Sequence, residues 1–167
     1  MPHVRFKTTL GDIVVEIDSG RAPITADSFL SYVNDGFYAG TIVHRVEPDF
    51  VIQLGGYTAD LQAKKTKPPI KNEWQNGLKN KRGTLSMART QDPDSATSQF
   101  FINLKDNDPL DQAISGGAGY AVFGKVVEGM DVVDKIAAGP ARKEPKLGGM
   151  PCPNPRITVQ SAAVEEG

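Results

Sequence analysis

IVHRVEPDFVIQLGG, residues 42–56, is the most informative segment of this chain. Two apolar runs flank a short polar turn, a pattern typical of two antiparallel β-strands. The first run nevertheless contains His44 and Arg45, and the second contains Gln53. Successive side chains of a strand point to opposite faces. An arginine inside such a run therefore indicates that one face of this sheet does not belong to the hydrophobic core.

Short apolar runs of the same kind recur along the chain, with glycine, proline, asparagine and aspartate between them. Eight short strands in one domain are typical of a β-sandwich or a closed barrel. The length of 167 residues fits a single domain, residues 1–167. We therefore predict a mainly β fold with strands at residues 3–8, 12–17, 41–46, 50–55, 83–88, 99–104, 120–127 and 156–164.

Two segments, residues 23–36 and 130–139, have the 3.6-residue period of amphipathic helices instead. Pro23 suits the first helical turn, and Gly36 suits the left-handed residue that ends a helix. Each helix has one apolar stripe, and the open ends of a barrel are the simplest surface to receive it. The stripes consist of Ala26, Phe29, Leu30 and Val33 in the first helix and of Met130, Val133 and Ala137 in the second.

The charge composition argues against two classes of partner. Lys+Arg is 19 and Asp+Glu is 20, so the net charge of -1 gives no electrostatic reason to expect nucleic acid or an anionic membrane.

No apolar run approaches the ~20 residues that cross a bilayer, and no signal peptide is visible. We expect a cytoplasmic monomer, or a periplasmic one if a signal peptide has been removed.

Few side chains could carry nucleophilic, metal or cofactor chemistry. The single cysteine, Cys152, lies in the proline-rich segment MPCPNP, which we predict to be a loop with a free thiol. The two histidines, His3 and His44, are far apart in sequence, which argues against a metal site. By strand parity we interpret His44 as an interior histidine with one hydrogen-bonded nitrogen. The GGAG sequence at residues 116–119 lacks the strand-to-helix context of a phosphate loop, so we expect no cofactor.

The alternation of side chains places a mixed set of residues on one shared face. Assigning the purely apolar sets, such as Phe50, Ile52 and Leu54, to the interior leaves the other set outside, provided that these strands are neighbours. An arginine, two amides and an aromatic ring resemble a shallow peptide groove with an apolar floor and a polar wall. The outer set consists of Arg45, Val51, Gln53, Gln99 and Phe101.

At these residues the sequence resembles the cyclophilin family of peptidyl-prolyl cis–trans isomerases, and its bacterial members in particular. Three motifs carry the resemblance, in family order: FYAGTIVHRVEPDFVIQLGG (37–56), KNKRGTLSMARTQDPDSATSQFFINL (79–104) and YAVFGKVVEGMDVVDKI (120–136). The resemblance implies a closed eight-stranded antiparallel β-barrel capped by two α-helices. It also implies a site on the outer face of that barrel.

The resemblance assigns a role to each matching position. It implies that Arg45 is the catalytic residue and that no metal takes part. The implied substrate-binding residues form an apolar pocket, a pair of amides, and a groove lining with main-chain hydrogen-bonding groups. They are Phe50, Val51, Phe101, Leu110 and Tyr120 for the pocket, Gln53 and Gln99 for the amides, and Ala88, Arg89 and Thr90 for the lining.

Several positions depart from the common family pattern. Val51 replaces a longer residue, and Tyr120 replaces a histidine that many eukaryotic members have. Pro109 stands where the family has tryptophan or another aromatic residue. Because that tryptophan matters to cyclosporin binding in the family, we expect cyclosporin to bind this chain only weakly.

The resemblance implies an enzyme that accelerates X–Pro bond rotation in proline-containing peptides and in unfolded or folding proteins. Two alternatives remain open at this point. A proline-peptide binding module or chaperone with little turnover is motivated by Val51 and Pro109. An RNA-binding or partner scaffold would use Lys79, Lys81 and Arg82, although the net charge of -1 argues against it.

Overall fold

A computed structural model describes residues 1–113 and 116–165 of the chain. It is mainly β with two α-helices, as predicted. The helices are α1 (Pro23–Asn34) and α2 (Met130–Ala138). The strands are β1 (His3–Thr8), β2 (Gly11–Ile17), β3 (Thr41–Glu47), β4 (Val51–Thr58), β5 (Thr84–Met87), β6 (Phe100–Asn103), β7 (Val122–Glu128), β8 (Ala141–Glu144), β9 (Met150–Pro153) and β10 (Val159–Glu165).

Eight of these strands form one curled antiparallel sheet, a half-barrel. Their spatial order is β10-β1-β2-β7-β5-β6-β4-β3. The two edges, β3 and β10, approach each other through a bridge between Ile42 and Thr158 and through backbone hydrogen bonds from Val43 to Ile157 (3.0 Å) and from Gly40 to Val159 (2.8 Å). No continuous ladder joins these two edges among the described residues, so the closed barrel is not confirmed.

The prediction of a loop over MPCPNP is wrong for its first four residues. Met150–Pro153 is β9, which pairs with β8 in a separate two-stranded sheet. Proline lacks the N–H that a strand donates, so Pro151 and Pro153 make this segment read as a loop. A short two-stranded hairpin tolerates them because it lies outside the main sheet, where fewer ladder bonds are required.

The core is centred on aromatic rings, and α1 packs against them through Phe29. The ring centroid of Phe29 lies 5.1 Å from that of Phe123 and 5.4 Å from that of Phe100. The buried stripe of α1 also includes Ala26 and Val33, as its period predicts. In α2 the buried residues are instead Val132, Val133 and Ile136, so this stripe is rotated by about one residue from the predicted one.

A β-bulge in β3 changes the predicted parity. The β3–β4 register shifts between Val43 and Arg45, and both Val43 and Val46 join the main core. His44 is fully buried, but it packs on the outer side of the sheet, 4.7 Å from the ring of Tyr57. The interior placement of His44 is therefore wrong, and so is the expected hydrogen bond, since neither ring nitrogen has a partner.

Candidate active site

Three side chains form a row across the outer face of the sheet. In the antiparallel register Arg45 of β3 lies opposite Gln53 of β4, and Gln53 lies opposite Phe101 of β6. Neighbouring strands are about 4.8 Å apart, so the guanidinium and the phenyl ring are two strand spacings from each other. The sheet therefore places a cation and an apolar ring on one surface, with an amide between them.

This row lies in a cavity of about 280 Å³. The sequence predicts every lining residue except Met150, which β9 contributes from the segment predicted as a loop. Phe50, assigned to the interior by parity, lies in the turn before β4 and lines the cavity instead, as the family resemblance implies. The lining residues are Arg45, Phe50, Val51, Gln53, Ala88, Arg89, Phe101, Leu110, Tyr120 and Met150.

The remaining two predicted residues, Thr90 and Gln99, line a second cavity of about 180 Å³. The two cavities share Gln53, Ala88 and Arg89. All predicted site residues are thus brought together on one continuous surface. We call this surface, made of both cavities, the groove.

Arg45 is held by polar neighbours on both sides of its guanidinium. Its Nη1 donates to Oε1 of Gln53 over 3.3 Å, and its Nε donates to Glu47 over 3.4 Å. Gln53 in turn donates to Oε1 of Gln99 over 3.0 Å. Among the described residues Nη2 of Arg45 has no protein acceptor, and the side chain is 30% exposed. One edge of the guanidinium therefore faces the groove.

Ring packing and buried hydrogen bonds hold the apolar floor in place. Phe101 is buried in β6, and its ring lies 5.7 Å from that of Tyr120 in an edge arrangement. Leu110 sits on a short 3₁₀ turn, Asp108–Asp111. Asp111 fixes that turn by accepting hydrogen bonds from the backbone N–H (2.7 Å) and the side-chain amide (2.8 Å) of the buried Asn80.

The side chain of Arg89 forms part of the groove wall. Its guanidinium lies 4.4 Å from the centroid of the Tyr120 ring, which is cation–π geometry. Its Nη2 also donates to the carbonyl oxygens of Ala118 (2.8 Å) and Gly119 (3.2 Å). The sequence alone does not distinguish this arrangement from a solvated side chain.

The ionisable groups near the groove do not suggest acid–base chemistry. Burial, with a smaller contribution from the charge of Arg45, lowers the pKa of His44 to about 4, so its ring is neutral near pH 7. Burial raises the pKa of the Cys152 thiol, which disfavours the reactive thiolate. Over residues 1–113 and 116–165 no cluster of three potential metal ligands occurs, and no helix is long and apolar enough to cross a membrane.

The sequence profile described as "Cyclophilin type peptidyl-prolyl cis-trans isomerase/CLD" matches residues 3–164. The chain belongs to the cyclophilin family. It is an enzyme, a peptidyl-prolyl cis–trans isomerase, and the resemblance seen in its motifs is confirmed.

Named relatives agree with this assignment. The chain is 60% identical over 137 residues to a peptidyl-prolyl cis–trans isomerase of Acinetobacter baylyi, covering 82% of this chain and 72% of the relative. It is 49% identical to peptidyl-prolyl cis–trans isomerase A of Dickeya dadantii, covering 97% and 84%. It is 57% identical to peptidyl-prolyl cis–trans isomerase B of Escherichia coli, covering 80% and 82%.

Solved structures share the fold. A cyclophilin-type isomerase of Cryptosporidium parvum, crystallised in the presence of the dipeptide Ala-Pro, superposes with a TM-score of 0.83 at 26% identity and covers 99% of both chains. A cyclophilin from Hirschia baltica superposes with a TM-score of 0.75 at 21% identity, covering 96% of this chain and 73% of that one. The likeness to the second structure concerns the fold alone.

Proposed function

We propose that Arg45 is the catalytic residue of this cyclophilin and that it acts by donating a hydrogen bond to the proline nitrogen as the X–Pro bond twists. The observation that supports this role is the position of its guanidinium. Gln53 and Glu47 hold Nη1 and Nε, and Nη2 remains available beside the apolar cavity.

The reaction makes and breaks no covalent bond, so it needs neither a nucleophile nor a base. Rotation about the peptide bond has a barrier of ~18–20 kcal/mol because amide resonance is lost in the twisted state. In that state the proline nitrogen regains its lone pair and accepts a hydrogen bond, which it hardly does when planar. A donor placed there stabilises the transition state more than the ground state, and this difference lowers the barrier.

The cavity supplies the conditions under which one hydrogen bond has a large effect. Phe101, Leu110 and Phe50 would hold the proline ring, which leaves little water beside the guanidinium. An ionised donor in such a low-dielectric site is stronger than the same donor in water. Arginine remains protonated throughout the physiological range and presents its donors in a fixed plane. Gln53 orients that plane.

The test is cis–trans exchange of a short X–Pro peptide, measured by NMR. We expect Arg45→Ala to lower the catalysed rate by about 10²–10³-fold, the usual loss when one preorganised transition-state donor is removed. Arg21→Ala, an exposed arginine outside both cavities, is the matched control and should match wild type. Circular dichroism verifies that both variants fold. Exchange by Arg45→Ala at the wild-type rate would remove Arg45 from the mechanism.

We further propose that the substrates include unfolded and folding proteins as well as peptides, and that the enzyme is a cytoplasmic monomer. The groove is open and continuous over two cavities, so a proline within a longer chain can enter it. A protein whose refolding is limited by proline isomerisation, a step of roughly 10–100 s, provides the test. Wild-type enzyme should accelerate this slow refolding step, and the Arg45→Ala variant should not. Size-exclusion chromatography and cell fractionation test the other two statements.

Weak cyclosporin binding is also proposed, on the basis of Pro109. This residue lies on the 3₁₀ turn next to Leu110, where proline offers neither an aromatic surface nor an indole N–H. We expect Pro109→Trp to increase inhibition by cyclosporin by at least tenfold. The conservative variant Pro109→Ala should leave inhibition as weak as in wild type. Equal inhibition of wild type and Pro109→Trp would contradict the proposal.

A further inference from the structure

The β8–β9 hairpin extends the groove beyond Arg45. The strand order β6-β4-β3 ends at β3, and β9 packs against the outer side of that strand. The contact is made by Cys152, whose Sγ lies 3.9 Å from the carbonyl oxygen of Val43, and by Leu147, which is buried with Ile42. The row Phe101–Gln53–Arg45 therefore continues towards the hairpin rather than into solvent.

Met150 is the residue through which the hairpin enters the site. It is the first residue of β9 and lines the same cavity as Arg45 and Phe101. It is partly buried and packs against the small apolar cluster of Ile42, Leu147 and Cys152. One side of Met150 is thus anchored, and the other contributes an apolar surface to the groove.

A buried ionic contact fixes the end of the hairpin that carries Met150. Met150 pairs with Glu144 across the β8–β9 ladder. The carboxylate of Glu144 is only 8% exposed and accepts hydrogen bonds from Arg142 (3.1 Å) and Arg156 (3.5 Å). Arg156 also donates to the carbonyl oxygen of Ala59. The hairpin is therefore tied to the chain just after β4, and Met150 has a defined position.

We propose that Met150 contacts the substrate residue that adjoins proline on the Arg45 side, and that it favours an apolar side chain there. The inference rests on the proposed seat of proline against Phe101 and Leu110. A proline in that seat places its neighbour in the chain beyond the guanidinium, where Met150 provides the apolar surface. Methionine is unbranched and polarisable, so it adapts to several apolar side chains without selecting a single shape.

Two peptide series test this specificity. One varies the residue before proline and the other varies the residue after it, each through glycine, leucine, phenylalanine and glutamate. Wild type should prefer the apolar members in one of the two series. Met150→Ala should reduce that preference, expressed as the ratio of kcat/KM for leucine over glycine, by about 5–10-fold. Met150→Leu, which nearly conserves volume and apolar character, should retain it.

A control variant and a second measurement keep the test independent of folding. Lys143→Ala alters an exposed residue of the same hairpin outside the cavity and should leave the ratio unchanged. In wild-type protein the ¹³C-methyl NMR signal of Met150 should shift on adding the leucine peptide more than on adding the glycine peptide. The inference is overturned if neither series changes its ratio in Met150→Ala, or if the methyl signal responds equally to both peptides. Loss of all activity in Arg45→Ala alongside such a result would leave the proposed function intact.

Discussion

Arg45 and Gln53 face each other across the β3–β4 ladder, and Nη1 of the arginine donates to Oε1 of the glutamine over 3.3 Å. The amide of Gln53 donates onward to Gln99 over 3.0 Å. Since Gln53 uses its oxygen for one neighbour and its nitrogen for the other, this chain of bonds also fixes which way the amide points. The guanidinium is thus oriented before any substrate arrives.

The first prediction concerns this orienting contact. Gln53→Leu removes the acceptor of Arg45 while keeping a side chain of similar size. We expect kcat/KM for peptide exchange to fall by about 5–10-fold, equivalent to roughly 1 kcal/mol, the usual net value of one such hydrogen bond. Gln99→Leu breaks only the outer bond of the chain and should have a smaller effect. Wild-type kcat/KM in Gln53→Leu would show that Arg45 needs no orienting partner.

A second prediction follows from the buried ring of His44. Its pKa is lowered from 6.5 to about 4 by burial and by the charge of Arg45. The unfolded chain therefore binds a proton near pH 6.5 that the folded chain binds only near pH 4. The free energy of unfolding should fall as the pH drops through this window, by up to about 3 kcal/mol from this group.

Urea unfolding of wild type and His44→Phe at pH 7 and pH 4.5 measures this contribution. Phenylalanine keeps a planar ring beside Tyr57 but cannot titrate. The loss of stability between the two pH values should be smaller in the variant by on the order of 2–3 kcal/mol, because all other titrating groups are common to both proteins. An identical loss in the two proteins would mean that His44 becomes protonated in the folded state as readily as in the unfolded one.

The extent to which sequence predicts this fold depends on how regular each element is. Apart from the bulge in β3, the eight strands of the main sheet follow the two-residue period, and Ala26, Phe29 and Val33 follow the helical period, so these elements are placed correctly. His44 is misplaced because the bulge after Val43 inserts one residue into the alternation. A one-residue insertion puts the side chains before and after it out of phase, so Arg45 keeps its predicted face while His44 does not, and the bulge leaves no distinctive residue pattern in TIVHRV.

The candidate site likewise contains residues that the sequence places correctly and one that it misses. Arg45, Gln53 and Phe101 could be placed together because they occupy equivalent positions on strands that turn out to be neighbours. Met150 could not, because its hairpin contains prolines and glycines that suggest a loop, and because its contact with the groove depends on how that hairpin packs on β3. Contacts between sequence-distant segments with weak local patterns require the tertiary structure.

A third prediction tests the aromatic core beneath α1. Phe29 is 1% exposed and makes ring contacts with Phe6, Tyr38, Phe100 and Phe123. Phe29→Ala should lower the free energy of unfolding by about 3–5 kcal/mol, because it removes a large apolar side chain and leaves a cavity. Ile24→Ala, on the same helix but 43% exposed, should change stability by less than about 0.5 kcal/mol. Chemical denaturation compares the two, and equal effects would contradict the assignment of Phe29 to the core.

The last prediction concerns the wall formed by Arg89 and Tyr120. The guanidinium covers the tyrosine ring at 4.4 Å and donates to the carbonyl oxygens of Ala118 and Gly119, so it ties the segment that follows β5 to the segment that precedes β7. Arg89→Met preserves much of the apolar length of the side chain but removes the charge and these bonds. Cation–π contacts at such partly exposed sites contribute about 0.5–2 kcal/mol, so Tyr120 should become more mobile.

In the proposed mechanism Tyr120 contributes to the pocket and makes no hydrogen bond to the transition state, so the loss should appear mainly as weaker substrate binding. We expect KM for peptide exchange to rise by about 3–10-fold in Arg89→Met while kcat changes by less than twofold. Arg89→Lys separates the two contributions of the guanidinium: it keeps a cation near the ring but cannot reach both carbonyl oxygens in the planar geometry of arginine, so its KM should be intermediate. If kcat fell as steeply as in Arg45→Ala, Arg89 would have to be counted with the transition-state donors, and the wall would be more than a binding surface.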